Sequence, residues 1–250
     1  MKKSDSTSKP TTQLLSVIKR LETLPKSFQI FFFLLITGGV LLGTSFLVGL
    51  LLYFLVGPNI RQPLGILCYN LLTFTASIYL LVILPGKLHA KWSTSREQLG
   101  LSGLLTWTDL FLAPISFVAF TIISLTITAL FTLLPWFNLE QPQNVGFTNL
   151  YDFTSRLIGF LSLVIITPIV EEVIFRGWLY GKLRAKLNLP LALVLNSLLF
   201  AALHGQWNVG VNVFALSAVL CLQREITGTI YSGIILHMLK NGIAFLILFT

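Results

Sequence analysis

Long uncharged runs alternate with short basic segments along this chain. No residue with a formal charge lies between Lys26 and Arg61, from Gln62 to Gly86, or from Leu110 to Leu139. Each run exceeds the roughly 20 apolar residues that cross the hydrocarbon core of a bilayer. The pattern predicts spans at about 28–56, 64–85, 110–135, 157–180, 189–204, 209–223 and 228–249, with boundaries free to move by a few residues. The uncharged stretch from Leu187 to Gln223 is short for two full crossings plus the Gly205-Gln206-Trp207-Asn208 turn, so at least one of spans 5 and 6 must be short, tilted or partly inserted. Ahead of the first span, residues 1–12 read as a solvated tail. Leu14, Leu15, Val17, Ile18, Leu21 and Leu24 then recur at helical spacing with Lys19 and Arg20 between them, as in a helix lying on the membrane surface.

Composition agrees: only 10% of the 250 residues are charged and 55% are hydrophobic, whereas a soluble domain is about a quarter charged. The expected fold class is therefore all-α, a polytopic transmembrane helix bundle of about seven spans, eight at the outside, with an amphipathic N-terminal helix. We expect residues 1–27 to form the cytoplasmic tail and surface helix and 28–250 one transmembrane domain, since no repeat or linker marks off a second unit. The first span starts too late and runs too long for a cleaved signal sequence and is read as retained. A net charge of +8 raises the question of nucleic acid, but the basic residues sit at the ends of apolar runs, where they report orientation, so no nucleic-acid partner is expected. With the N-terminus inside, Lys2, Lys3, Lys9, Lys19, Arg20, Lys26, Lys87, Lys91, Arg96, Lys182, Arg184, Lys186 and Arg224 are cytoplasmic, against Arg61 and Arg156 outside. Cys68 and Cys221 fall within apolar runs and suggest packing, not a disulfide framework.

An ionisable side chain near the bilayer centre costs on the order of 3 kcal/mol or more, so those inside spans are functional candidates by default. They are Glu171, Glu172 and Arg176 in span 4, His204 at the end of span 5, and His237 and Lys240 in span 7, with Asn241 as a polar neighbour. Glu172 and Arg176 stand four apart with the acid first, the arrangement of a helical ion pair. Glu171 is turned about 100° away and cannot share that pair equally. It is left in a low-dielectric site beside a like charge, which makes it the candidate general base. Pro168 removes a backbone donor and is expected to kink span 4, opening room for water. His237 and Asn241, also four apart, present an imidazole and an amide to one point and together suit a developing oxyanion, while His204 from another helix can orient water or carry a proton. Counting ~1.5 Å per residue from the inner boundary puts Glu171 and His237 near ~14 Å and His204 near ~21 Å, a gap that a tilted or broken span 5 must absorb.

The patterns Glu171-Glu172-Val-Ile-Phe-Arg176, Phe200-Ala-Ala-Leu-His204 and His237-Met-Leu-Lys-Asn241 resemble, in this order, the EExxxR, FxxxH and HxxxN/D signatures of the CPBP family of intramembrane proteases. That family includes CAAX prenyl endopeptidases and bacterial abortive-infection or bacteriocin-immunity proteins. The resemblance covers about 171–241, within a site-bearing part at 157–250. It implies an endopeptidase in which Glu171 with His204 activates water, His237 with Asn241 stabilises the tetrahedral oxyanion, and Glu172 with Arg176 holds the site together. The implied partners are the lipid bilayer and a membrane-associated protein or peptide, lipidated or not. The expected location is the plasma membrane, multi-pass. No cofactor is favoured, because no HExxH pattern puts two histidines on one helix and an asparagine ligates poorly. The minority alternative is zinc held by Glu171, His204 and His237. Two other functions compete: a proton- or cation-coupled transporter, against which no internal duplication is found, and a non-catalytic membrane scaffold or immunity protein.

Overall fold

The computed structural model describes residues 23–142, 146–147 and 150–249; the tail and nearly all of the surface helix expected before the first span lie outside the described residues. Helices and connecting turns make up everything described. Helix α1 runs Lys26–Val56 and continues as a tighter turn to Arg61. It is followed by α2 (Pro63–Lys87), α3 (Trp107–Phe131), α4 (Phe153–Arg184), α5 (Leu189–Ala202), α6 (Trp207–Thr227) and α7 (Tyr231–Phe249). Six of these are long and apolar enough to cross a membrane. The exception is α5, whose 14 residues span only about 21 Å against a hydrocarbon core of about 30 Å. Seven helices thus occupy the positions expected for spans 1–7, and the short one falls where the uncharged stretch ran out of residues.

Local chemistry sets the boundaries. Thr106 and Asp109 exchange side-chain and backbone hydrogen bonds in a capping box that opens α3. The Asp152 carboxylate accepts the Ser155 N–H to start α4, and the Asn188 side chain accepts the Leu191 N–H to start α5. Gly228 ends α6 in the left-handed region at φ +70°, a conformation that costs glycine nothing, and α7 begins three residues on.

The bundle turns its apolar side chains outward. Phe54, Ile115, Phe46 and Ile247 are each more than 65% exposed, an arrangement that suits lipid and that water would not tolerate on this scale. The chain is an integral multi-pass membrane protein. Its interior lies around α6 and the second half of α4, where Trp178, Leu179, Leu183, Leu216 and Leu220 are fully buried. α6 packs on α5, α3 and α7, while α1 leans mainly on α2. Because lipid tails give helices little apolar incentive to associate, polar contacts between helices matter more. Thr44 and Ser77 hydroxyls join α1 to α2 at 2.8 Å. Asn70 Nδ2 donates to Ser162 Oγ between α2 and α4, and Asn212 Nδ2 to Ser124 Oγ between α6 and α3, both at 2.8 Å.

Helix α4 is not a uniform α-helix. It widens to π-helical turns at Leu161–Ile166 and Glu172–Leu179. Pro168 follows the first of these by two residues. The widened turn, in which the Thr167 N–H reaches back to the Ser162 carbonyl, relieves the clash a proline ring otherwise makes with the preceding turn. The irregularity expected at Pro168 therefore takes the form of a π-turn.

Candidate active site

The second π-turn of α4 carries Glu172 and Arg176, both with 0% exposure. Arg176 Nη1 lies 3.0 Å from Glu172 Oε1. The guanidinium carbon also lies over the Phe200 ring, 4.5 Å from its centre, a cation–π contact between α4 and α5. The ion pair is close but not well aligned for hydrogen bonding, since Arg176 Nε, Nη1 and Nη2 find no acceptor among the described residues. Cys221 stands beside Arg176, and Asn196 Nδ2 donates to Cys221 Sγ at 3.3 Å and to Ser217 Oγ at 3.4 Å. A polar seam thus runs from α4 through α6 to α5 behind the glutamates.

His237 of α7 is clasped between the two acids. Its Nδ1–H donates to Glu172 Oε1 at 3.0 Å, which fixes the ring, and its Nε2 faces Glu171 Oε2 at 3.6 Å. The latter is just beyond direct hydrogen bonding and within reach of a shared proton or a bridging water. Glycine at 233, one turn before His237, makes this approach feasible: a Cβ there would lie 3.0 Å from Glu172 Oε2. Glu171 is the more open of the acids, with a side chain 20% exposed where that of Glu172 is 0%. It looks into a cavity of about 230 Å³ that it lines together with His204, Phe200, Ser45 and Phe74.

His204 lies in the turn just past the end of α5. Its Nδ1–H donates to the Phe200 carbonyl at 2.8 Å, leaving Nε2 as the unprotonated nitrogen of the neutral ring. The Phe200 ring touches both histidines edge-on, 4.9 Å from His204 and 6.1 Å from His237 between centres. The depth gap expected between His204 and Glu171 is absorbed because α5 is short and His204 hangs from its last turn onto the cavity that Glu171 lines.

Glu171, Glu172, Arg176 and His237 therefore meet directly, and His204 joins Glu171 across the cavity. Asn241 does not share a hydrogen bond with His237: its Nδ2 donates to the Leu163 carbonyl at 3.0 Å, anchoring α7 on the first π-turn of α4. For the zinc alternative, no group of three His, Cys, Asp or Glu side chains among the described residues is arranged to hold a metal ion. Three contributors were absent from the sequence reading. Gly233 and the π-turns leave no local signature, whereas Asn196, a polar residue inside an apolar run, carried a signal that could have been followed.

Comparison with known proteins bears on the same helices. No curated protein and no solved structure matches the chain. Residues 153–243, which run from the first turn of α4 into α7 and include Glu171, Glu172, Arg176, His204, His237 and Asn241, match the family model of the type II CAAX prenyl endopeptidase Rce1-like proteins, a family of hydrolases. Through this segment, 91 of its 250 residues, the chain is similar to the CAAX-type intramembrane proteases.

Proposed function

We propose that the protein is an intramembrane endopeptidase that hydrolyses a peptide bond of a membrane-associated or lipidated protein, with Glu171 as general base. The observation that carries this reading is the placement of Glu171, which has His237 Nε2 on one side at 3.6 Å and the cavity shared with His204 on the other. A water in that cavity can donate one hydrogen to the Glu171 carboxylate and the other to His204 Nε2, which turns its lone pair toward a substrate carbonyl. Its oxygen bonds to the carbonyl carbon and its proton passes to Glu171. His237, receiving that proton at Nε2 while Nδ1–H stays on Glu172, becomes an imidazolium able to stabilise the oxyanion. Collapse breaks the C–N bond, and the proton returns to the leaving amine.

Glu172 and Arg176 act as positioning residues, the carboxylate holding the His237 ring and the guanidinium holding the carboxylate. Asn241 positions α7 through Leu163. Leu41 and Leu42 of α1 help line the cavity, and Leu42 is 61% exposed toward lipid, which supports lateral entry of the substrate. The basic residues at the ends of α2, α4 and α6 support a cytoplasmic N-terminus, and we assign the protein to the plasma membrane. Residues 28–250 act as one membrane domain whose chemistry resides in 157–250.

The test is cleavage of internally quenched peptides, farnesylated and unmodified, by purified protein in lipid nanodiscs. Glu171→Ala and His204→Ala are each expected to reduce the rate on the order of 100-fold or more. Wild-type cleavage that both substitutions leave unchanged would reject the site.

A further inference from the structure

The cavity that Glu171 and His204 share is completed by α1, which contributes Leu41, Leu42 and Ser45. Three of the residues lining it are polar, Glu171, His204 and Ser45, and the rest are leucine, isoleucine and phenylalanine. Glu171 enters the proposed reaction as a carboxylate. His204 enters it with an unprotonated Nε2, since its Nδ1–H is held by the Phe200 carbonyl at 2.8 Å, so both groups offer acceptors. His237 does not line the cavity; its side chain is 4% exposed and stands behind Glu171 at 3.6 Å. Asn241 is turned onto the Leu163 carbonyl. Among the described residues, the Ser45 hydroxyl is therefore the one side-chain donor on the cavity wall.

Hydroxyls inside spans commonly satisfy themselves by donating to the carbonyl four residues back. Thr37, Thr44, Ser77, Thr121 and Thr126 all do so, at 2.7–2.8 Å. Ser45 makes no hydrogen bond among the described residues, and the Leu41 carbonyl it would take is approached by Thr44 Oγ1 at 3.2 Å. Thr44 is in turn tied to Ser77 of α2 at 2.8 Å, which sets the rotation of α1 and leaves Ser45 on the cavity face, one turn after Leu41. A serine that served only to join helices would be bonded across an interface, as Thr44 is. Peptide-bond hydrolysis needs what this wall otherwise lacks. The tetrahedral intermediate carries a negative charge on the former carbonyl oxygen, and leucine and phenylalanine do nothing to solvate it. An imidazolium at His237 acts on that charge from behind Glu171, without touching it.

We propose that Ser45 is a further catalytic residue, whose hydroxyl donates a hydrogen bond to the oxyanion of the tetrahedral intermediate. The assignment rests on the proteolytic reading and adds to it a residue of α1, outside the 153–243 segment. The hydroxyl keeps its proton throughout; its bond strengthens as the oxygen gains charge and relaxes when the C–N bond breaks. The experiment is steady-state cleavage of the quenched peptides in nanodiscs by wild type, Ser45→Ala, Ser45→Thr and Glu171→Ala, with the thermal midpoint of each. In Ser45→Ala the kcat is expected to fall on the order of 100-fold, with KM within about twofold and the midpoint unchanged. Ser45→Thr, which keeps a hydroxyl, should stay within about tenfold of wild type. Wild-type turnover by Ser45→Ala while Glu171→Ala is inactive overturns the assignment and leaves the proteolytic reading standing. A loss confined to KM, or one that Ser45→Thr shares together with a lowered midpoint, overturns it as well. A wild type that cleaves nothing, or a Glu171→Ala that cleaves as wild type does, overturns the proteolytic reading and the assignment with it.

Discussion

Replacing Glu172 with glutamine separates holding the fold from orienting the chemistry. The carboxylate has 0% side-chain exposure and its Oε1 serves both Arg176 Nη1 and His237 Nδ1 at 3.0 Å. Glu172→Gln leaves the guanidinium of Arg176 buried without a counter-charge. Removing one partner of a buried pair costs about 3–5 kcal/mol. With neither partner more than 1% exposed, solvent screening does not reduce that figure. Arg176 lacks a well-aligned hydrogen bond to the acid, which puts the expected loss at the lower end, about 3 kcal/mol.

Adding Arg176→Met removes the stranded charge, and the double variant should recover to within about 1 kcal/mol of wild type, because neutral replacements of a buried pair are often tolerated. Activity should not recover. An amide can present either an oxygen or an N–H to His237 Nδ1, so the tautomer that turns a free Nε2 toward Glu171 is no longer enforced. The contact to Glu171 is 3.6 Å and the histidine does not itself attack the substrate, so a loss on the order of 100-fold is expected, below the largest effects of such changes in serine-protease triads. The assays are the thermal midpoint in nanodiscs and single-turnover cleavage of a quenched peptide. A double variant that regains both stability and wild-type turnover refutes the orienting role and leaves the pair as a helix lock.

Gly233→Ala puts a Cβ 3.0 Å from Glu172 Oε2 and 3.4 Å from Leu220 Cδ2; turnover should fall several-fold with a stability loss of about 1–3 kcal/mol, measured by the same two assays. Asn241→Leu strands the Leu163 carbonyl that its amide now satisfies. About 1–3 kcal/mol should be lost, with hydrogen exchange rising in the first π-turn of α4; unchanged exchange there contradicts the anchor. The exposed Asp152 carboxyl at the start of α4 is held below its ordinary 3.8 by the Ser155 hydroxyl and N–H. Its capping contribution is therefore present above that value and lost as the pH drops through the lower folded one, so protection of the first α4 turn should persist at pH 5 and fade only below about 3.8.

The helix inventory was readable from the sequence because a bilayer imposes a length rule that composition alone can test. Lys26–Val56 and Tyr231–Phe249 fall within three residues of the spans expected from charge spacing. The meeting of Glu172 with Arg176 was readable for a similar reason, as spacing on one helix is a local property. The direction taken by Asn241 was not. Its spacing from His237 puts both residues on one face of α7, but which neighbour the amide meets depends on the carbonyls α4 offers, and the π-turn at Leu161–Ile166 lies against it. Nothing in the residues of α7 encodes that turn.

The same distinction explains how His204 reaches the site. Counted along an upright helix it lies too far out, and a span that crossed fully would have kept it there. The shortage of residues between Leu187 and Gln223 is what permits the alternative: α5 stops at Ala202, the chain turns at Gly205 with φ +69°, and His204 is presented from the open end of a helix instead of its side. A full-length α5 would have bonded its terminal groups within lipid, whereas a short one ends beside a polar cavity, the setting in which non-helical backbone survives at membrane depth. The truncation that looked like a deficit in the span count is thus the feature that joins the second histidine to Glu171.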